Sequence, residues 1–370
     1  EMLRSLVGSE MCIRDSTTMT EKNDTKQLID RLEATRNLSR DEWIRLIQNR
    51  TADDADYLFE RAQAVRTRHY GRSVYIRGLI EFTNYCKNDC FYCGIRKSNR
   101  NANRYRLTKE QILSCCEMGY ALGFRTFVLQ GGEDGSFTDD RLTDIISSIR
   151  TRWSDCAITL SIGERSYESY KQLYDAGANR FLLRHETYDD THYGKLHPPA
   201  LSAARRKQCL FDLKKIGYQV GTGFMVGSPY QTFENLADDM LFLKELNPQM
   251  VGIGPFIPHH DTPFADQKAG SADLTLFLLG LIRLLLPKVL LPATTALGTI
   301  DSDGREKGIL AGANVIMPNL SPPQVREKYL LYDSKLCTGD EAAESLRSLK
   351  QRIQNIGYEI TVSRGDSLNI

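Results

Sequence analysis

The sequence lacks any apolar run as long as the roughly 20 residues that a membrane-spanning helix needs. The best candidate, residues 274–286, is interrupted by Arg283 and followed by Pro287, which is more typical of a buried helix. The amino-terminal residues also lack the charged, apolar and small-residue order of a secretory signal. We therefore expect a cytoplasmic protein with no membrane association.

An excess of charge of one sign is missing as well. The 370 residues include 48 Lys and Arg against 47 Asp and Glu, a formal net charge of +1. General nucleic-acid binding depends on a basic surplus that neutralises phosphates, so we expect no nucleic-acid partner. Hydrophobic residues make up 41% of the chain, which is ordinary for a globular protein and sufficient for a large core.

The two ends of the chain differ in pattern from its centre. Residues 1–23 show no periodicity, and we expect them to be a disordered or non-native leader. Residues 24–70 carry Leu and Ile at helical spacing, and Ser39 with Glu42 is typical of a capping box, so this region predicts amino-terminal helices. Residues 321–370 predict a carboxyl-terminal helical extension.

Between these ends, residues 71–320 alternate short apolar runs with longer amphipathic stretches. The predicted strands cover residues 74–82, 126–129, 157–162, 180–184, 219–225, 250–256, 290–294 and 314–317. The predicted helices cover residues 109–122, 139–152, 167–176, 203–216, 233–245, 272–286 and 304–311. Crossover helices between strands are typical of a parallel sheet. The pattern predicts an α/β fold, a complete (β/α)8 TIM-type barrel with helical extensions at both ends; an open doubly wound sheet is the alternative.

Three of the nine cysteines, Cys86, Cys90 and Cys93, form a C-x3-C-x2-C motif after the first predicted strand. An odd number of unevenly spaced cysteines does not suit a disulfide scaffold. Three thiolates on one loop can bind three irons of a [4Fe–4S] cube and leave the fourth iron open to an exogenous ligand. A structural zinc ion would need a fourth nitrogen or sulfur ligand, and none lies nearby in the sequence.

This cysteine motif, with an aromatic residue before the last cysteine, resembles the signature of the radical S-adenosylmethionine (SAM) superfamily. The resemblance implies a single site-differentiated [4Fe–4S] cluster on Cys86, Cys90 and Cys93, with SAM chelating the open iron. It also implies that a low-potential electron donor drives SAM cleavage to a 5′-deoxyadenosyl radical. The cofactor-binding candidates are Tyr92, Gly131, Gly132, Glu133, Asp134, Ser161, Glu186, Arg205, Met225, Ile253 and Phe256, with Arg206 as the alternative to Arg205.

Further segments resemble the HydE family, the radical SAM maturases of [FeFe]-hydrogenase. They are residues 77–86, 94–97, 129–134, 183–187, 251–259, 292–296 and 314–319. The resemblance runs from about residue 24 to the end of the chain. It implies a small organometallic substrate, a cysteine-bound Fe(CO)2(CN) synthon supplied by a HydG-like maturase, and a product passed towards a HydF-like scaffold. We expect a monomer.

An anionic organometallic substrate needs a cation and hydroxyl donors in its cavity. The candidates are Gln130, Arg184, Thr294, Thr295 and Met317.

One departure from the HydE pattern concerns a second cluster motif, C-x7-C-x2-C, that many family members carry near the carboxyl terminus. In this sequence Cys337 is followed at those spacings by Ser345 and Ser348. Because serine is a poor substitute for a thiolate at iron, we expect no stable second cluster. Two alternatives remain open: a lysine mutase similar to methylornithine synthase, and a non-catalytic iron–sulfur carrier.

Overall fold

The computed structural model describes residues 24–336 and 342–368, without the side chains of residues 342–344. The expected leader, residues 1–23, and Cys337 lie outside the described residues. None of the described helices is both long and apolar enough to cross a bilayer.

Three helices occupy the amino-terminal part of the described chain: α1 over residues 24–35, α2 (Arg40–Gln48) and α3 (Ala52–Tyr70). The capping box predicted for α2 is confirmed, since the Glu42 amide donates to the Ser39 hydroxyl and the Glu42 carboxylate accepts from the Ser39 amide. α2 packs against α9 and α3 against α10 (bounds below), so these helices cover the outside of the α/β unit.

The centre of the molecule is a parallel sheet of six strands in the order β2-β3-β4-β5-β6-β8. Isolated parallel bridges pair Leu79 with Asn319, Met250 with Leu290 and Pro292 with Val315. The strands are β1 (Ser73–Ile76), β2 (Gly78–Thr83), β3 (Thr126–Gly131), β4 (Ala157–Ser161), β5 (Arg180–Leu182), β6 (Gln219–Thr222), β7 (Met225–Val226), β8 (Met250–Val251), β9 (Gly254–Pro255), β10 (Val315–Ile316) and β11 (Glu359–Thr361). The predicted parallel α/β arrangement is confirmed.

Several predicted strands are shorter or divided in the structure. The run over residues 219–225 is split into β6 and β7, and the run over residues 250–256 into β8 and β9. Gly223 and Gly252 lie at the two interruptions and face each other closely, since a Cβ on Gly223 would lie 2.0 Å from the carbonyl oxygen of Gly252. The first run is likewise divided into β1 and β2, and residues 290–294 contribute only bridges.

The helices follow the predicted amphipathic stretches closely. They are α4 (Lys109–Ala121), α5 (Asp139–Arg152), α6 (Tyr167–Asp175), α7 (Asp190–Leu196), α8 (Ala203–Ile216), α9 (Phe233–Leu246), α10 (Ala272–Leu285), α11 (Thr295–Ile300), α12 (Gly304–Leu310), α13 (Pro323–Arg326) and α14 (Ala342–Asn355). The short helices α7 and α11 are not predicted by the sequence analysis. Gly217, which ends α8, has a φ of 110°, as expected for glycine at a helix end.

The carboxyl-terminal segment is not purely helical, because β11 pairs with β1 in parallel. The residues after β11 contact the first residues of three central strands. Thr126 and Arg180 donate to the Arg364 carbonyl, and Asp366 accepts from Arg180 and Gln219. The tail therefore covers the amino-terminal end of the sheet and leaves the carboxyl-terminal end for other loops.

The contact between Asp366 and Arg180 predicts a measurable stability effect. Asp366→Ala should lower the free energy of unfolding by about 1–3 kcal/mol, because the fully buried Arg180 guanidinium loses its carboxylate acceptor. Urea unfolding monitored by circular dichroism measures this loss. The matched control is Glu359→Ala at an exposed position of β11, which should change the free energy by about 0.5 kcal/mol or less; equal effects would contradict the assigned role of Asp366.

Candidate active site

A cavity of about 330 Å³ lies at the carboxyl-terminal ends of the strands. It collects side chains from loops that are far apart in sequence, as parallel α/β folds do at this edge. The predicted site residues that line it are Cys86, Cys90, Tyr92, Cys93, Gln130, Gly131, Gly132, Glu133, Ser161, Arg184, Glu186, Met225, Phe256, Thr294, Thr295 and Met317.

The loop that carries the three cysteines is held in place by its own side chains and by its neighbours. The Arg104 guanidinium donates to the carbonyl oxygens of Asn84, Ile95, Arg96 and Asn99, and so ties together residues on both sides of the motif. Arg96 pairs with Asp89 at 2.7 Å inside the loop. These contacts hold the loop through residues other than the cysteines.

The three thiols are half-buried and unpaired. Burial raises the pKa of Cys86 and of Cys90, and it raises the pKa of Cys93 to about 12. The thiols are therefore protonated at neutral pH without a metal, and iron binding must displace protons from them.

The spacing of these thiols bears on the kind of metal they suit. Across residues 24–336 and 342–368, His259, His260 and Asp333 form the one group of three whose ligand atoms all lie within 4.8 Å of one another. The three cysteine sulfurs therefore do not all lie within 4.8 Å of one another, whereas the sulfurs around a single zinc ion, at about 2.3 Å from the metal, lie about 4 Å apart. As placed, the thiols suit a multi-iron cluster better than one zinc ion.

Two glycines in the neighbouring loops allow backbone and side chains to approach the cysteine loop. A Cβ on Gly132 would lie 2.2 Å from the Tyr85 carbonyl oxygen and 2.8 Å from the Cys86 Cβ. A Cβ on Gly163, which has a φ of 76°, would lie 2.1 Å from the Glu133 Cγ. Any larger residue would fill the space beside the cysteines, so these glycines shape a cradle there.

Acidic and basic side chains alternate along the wall next to the cysteines. The Glu133 carboxylate accepts from the Glu164 amide at 3.0 Å and contacts the exposed Lys87 ammonium at 3.1 Å. Buried Arg206 lies 2.9 Å from Glu164, yet neither of the two contacting atoms has a hydrogen bond. The Glu133 carboxylate and the Arg206 guanidinium thus place charge of both signs in one cavity, which suits a ligand with an ammonium and a carboxylate group.

Arg184 and Glu186 form a second pair at the end of β5. Their nearest charged atoms are 3.3 Å apart, and Nε and Nη2 of Arg184 are buried without a hydrogen bond in the described residues. Glu186 has a φ of 67°, a conformation that non-glycine residues adopt at a cost of about 1–3 kcal/mol. The Gly223 carbonyl holds it there by accepting from the Glu186 amide.

Three predicted cofactor-binding residues do not line the cavity. Asp134 accepts from Thr83, from the Ser136 amide and twice from Arg106, so its carboxylate is already satisfied. Arg205 is half-exposed and donates to the Arg165 carbonyl, whereas its neighbour Arg206 is buried in the cavity wall. Ile253 belongs to the hydrophobic core. The geometry therefore favours Glu133 and Arg206 over Asp134 and Arg205 as ligand contacts.

The cavity also contains an ion pair that the sequence analysis does not predict. Lys335 donates to the Glu81 carboxylate and to the Tyr329 carbonyl, and Asn319 donates to the other Glu81 oxygen at 2.8 Å. The side chains of Lys335 and Glu81 are 6% and 1% exposed. Glu81 could have been found from the sequence, because it is a charged residue within the apolar run of β2. No feature of the sequence around Lys335 indicates that its side chain lies in the cavity.

His259, His260 and Asp333 lie at the rim and resemble a metal site only in their spacing. His260 Nδ1 is 2.6 Å from Asp333, and the two histidine rings stack. The Asp261 amide donates to Nδ1 of His259, so the ring proton sits on Nε2 and that nitrogen has no free lone pair for a metal. The contacts between these histidines and Asp333 instead connect the loop after β9 to the segment after α13.

Comparisons with known proteins agree with this geometry. The family model described as "Radical SAM superfamily" matches residues 80–243. The [FeFe] hydrogenase maturase subunit HydE of Thermotoga maritima is 45% identical over 81% of this chain and 85% of its own length. The chain is a HydE-like enzyme of the radical SAM superfamily.

Two further relatives share sequence or fold with this HydE-like chain. The 3-methylornithine synthase of Methanosarcina acetivorans is 29% identical over 87% of the chain and 90% of its own length. A crystal structure of methylornithine synthase (PylB) superposes with a TM-score of 0.80 at 27% identity, covering 90% of this chain and 97% of that one. A structure of the maturase HydG shares the fold at 20% identity, with a TM-score of 0.75 and coverage of 91% and 75%.

The interaction between Lys335 and Glu81 can be measured by a double-mutant cycle. Lys335→Met should destabilise the protein by about 3–5 kcal/mol, because it leaves the Glu81 carboxylate buried without its cation. The double variant Lys335→Met with Glu81→Gln should recover most of that loss, since no unpaired charge remains. Urea unfolding of the parent, both single variants and the double variant measures the cycle. Additive losses would show that the two groups do not interact.

Proposed function

We propose that this protein is a hydrogenase maturase of the HydE type that acts on a cysteine-bound Fe(CO)2(CN) synthon. The observation that carries the proposal is that three free thiols, an under-bonded arginine and two threonine hydroxyls line one cavity in a HydE-like chain. A HydG-like maturase would supply the synthon, a HydF-like scaffold would receive the product, and a low-potential carrier would supply electrons.

The residues of the cavity fit the cofactors of the superfamily. Cys86, Cys90 and Cys93 would hold a single [4Fe–4S] cluster with one open iron, because the cavity wall presents three free thiols and the described residues that line it include no fourth. With SAM bound to the open iron, such a cluster would supply a 5′-deoxyadenosyl radical. Glu133 would accept from the SAM ammonium and Arg206 would donate to its carboxylate.

The other walls of the cavity would hold the substrate and keep water away. The buried Nε and Nη2 of Arg184 would donate to an anionic ligand, and Thr294 and Thr295 offer hydroxyls in the lining of the same cavity. Met225 and Phe256, both buried, provide apolar surface. In this proposal the part of the cavity that binds the substrate also includes Gln130 and Met317. The part that binds the cofactors also includes Ser161, Tyr92 and Glu186.

We also infer that the parallel sheet closes into the complete (β/α)8 barrel that the sequence predicts. The bridges from Met250 to Leu290, from Pro292 to Val315 and from Leu79 to Asn319 lead from β8 back to β2. A closed barrel supports the functional proposal, because it surrounds a reactive species on all sides.

A lysine mutase is the second candidate. The similarity in fold and length to methylornithine synthase favours it, as does the Glu186 carboxylate in the cavity wall, which could accept from a substrate ammonium. A mutase would act on a free amino acid and would not need the iron synthon.

The experiment compares substrates on one preparation. The protein is reconstituted anaerobically with iron and sulfide and reduced. SAM is then added alone, with the cysteine-bound iron synthon, or with lysine. Quantified 5′-deoxyadenosine and its covalent adduct are the readouts. We expect turnover that depends on the synthon and is lost in Cys90→Ser, which removes one iron ligand.

Other outcomes would assign the protein differently. Turnover stimulated by lysine but not by the synthon would support the mutase. An intact four-iron cluster that never cleaves SAM would indicate an iron–sulfur carrier. Full activity of Cys90→Ser would contradict the cluster assignment.

A further inference from the structure

We propose that the outer face of the cysteine loop binds an acidic one-electron carrier protein. The donor surface, as we name it, consists of Lys97, Arg100, Lys195 and Tyr230. The inference rests on the proposed function, because an electron from outside is needed only if Cys86, Cys90 and Cys93 hold a redox-active cluster. The inference adds where the partner binds and which charge its surface carries. The proposed function specifies neither.

The charge of the cysteine loop is the first observation. Residues 84–106 contain six Lys and Arg and a single acid, Asp89, in a chain whose formal net charge is +1. Arg96, Arg104 and Arg106 are engaged within the structure, by Asp89, by backbone carbonyls and by Asp134 respectively. Lys97 and Arg100 are exposed and have no ion-pair partner in the described part of the chain. They leave a positive surface beside the thiols.

Tyr230 is the second observation. Its side chain is 57% exposed, and its φ of 65° places it in the left-handed region that bulky residues rarely occupy. The Lys195 ammonium lies 5.4 Å from the centre of its ring. Tyrosine is among the residues enriched at interface hot spots, and a strained backbone conformation tends to occur at functional positions, so Tyr230 is a candidate anchor for a partner.

Aromatic contacts connect Tyr230 to the cysteine loop. The Tyr230 ring lies 6.3 Å from the Phe264 ring, and the Phe264 ring lies 6.2 Å from that of Phe91, which follows Cys90 directly. The Phe91 amide also donates to the Leu196 carbonyl, next to Lys195. A protein that docks on Tyr230 and Lys195 therefore sits against the residues that flank the thiols.

The chemistry of the partner follows from these contacts. Electrostatic complementarity steers association and sets orientation, so a positive face selects an acidic carrier. In the transfer step the carrier loses one electron and the bound cluster gains it, and no bond forms or breaks. A reduced flavodoxin with an acidic surface has the required charge and chemistry and serves as the probe.

The test uses the reconstituted protein and two readouts that do not depend on turnover. Calorimetry measures binding of oxidised flavodoxin, and stopped-flow absorbance measures cluster reduction by reduced flavodoxin or by dithionite. Lys97→Glu with Lys195→Glu should weaken binding and slow reduction by flavodoxin about ten-fold or more at low ionic strength. Tyr230→Ala should weaken binding at any ionic strength. Dithionite should reduce every variant at the parent rate.

The control is Lys350→Glu, an exposed position on α14, which packs against β11 at the opposite end of the sheet. It should behave like the parent. Parent-like flavodoxin binding by the double variant, or an equal loss in the control, would overturn the donor surface. If dithionite reduces the parent cluster but flavodoxin does not bind, only the donor surface is wrong. If dithionite produces no absorbance change because no cluster is bound, both the donor surface and the proposed function are wrong.

Discussion

The position of the cysteine loop depends on one constraint, the parallel direction of the central strands. Because parallel strands end at the same edge, the loop after β2 meets the loops after β3, β4 and β5 without any local sequence relation. The close approach of Gly132 to Cys86 and the contact of Lys87 with Glu133 are consequences of that geometry. The distribution of charge around the thiols follows from it as well.

The two ends of the sheet are built for different purposes. At the amino-terminal end, the tail after β11 satisfies Arg180, which stabilises the fold. At the carboxyl-terminal end, charged atoms are left without hydrogen bonds on Arg184, Glu164 and Arg206. Buried charge is costly unless it is paired, so Arg184 and Arg206, which lie in the cavity wall, are the candidates for ligand contacts at this end.

Much of this organisation could be predicted from the sequence, because the governing signals are local. Helix boundaries such as Asp139–Arg152 follow from amphipathic periodicity, and the C-x3-C-x2-C spacing on its own indicates a cluster. The divided strands could not be predicted, because the contact between Gly223 and Gly252 joins separate parts of the chain. The same limit applies to Lys335, which reaches Glu81 from 254 residues away.

The sequence also could not show which of two neighbouring residues faces the cavity. Arg205 and Arg206 are adjacent at the start of α8, and only the orientation of the helix decides which one faces the cavity. Asp134 similarly follows Glu133 but turns towards Arg106. Motifs therefore identify the segment that contributes to a site, and the fold selects the residue.

We propose that the three thiols hold a four-iron cluster with one iron open to SAM. Electron paramagnetic resonance of the reconstituted, reduced protein is the decisive measurement. We expect the spectrum of a reduced [4Fe–4S] cluster whose g values shift when SAM is added. A spectrum that SAM leaves unchanged, or one that persists when Cys86, Cys90 and Cys93 are all replaced by alanine, would show that this assignment is wrong.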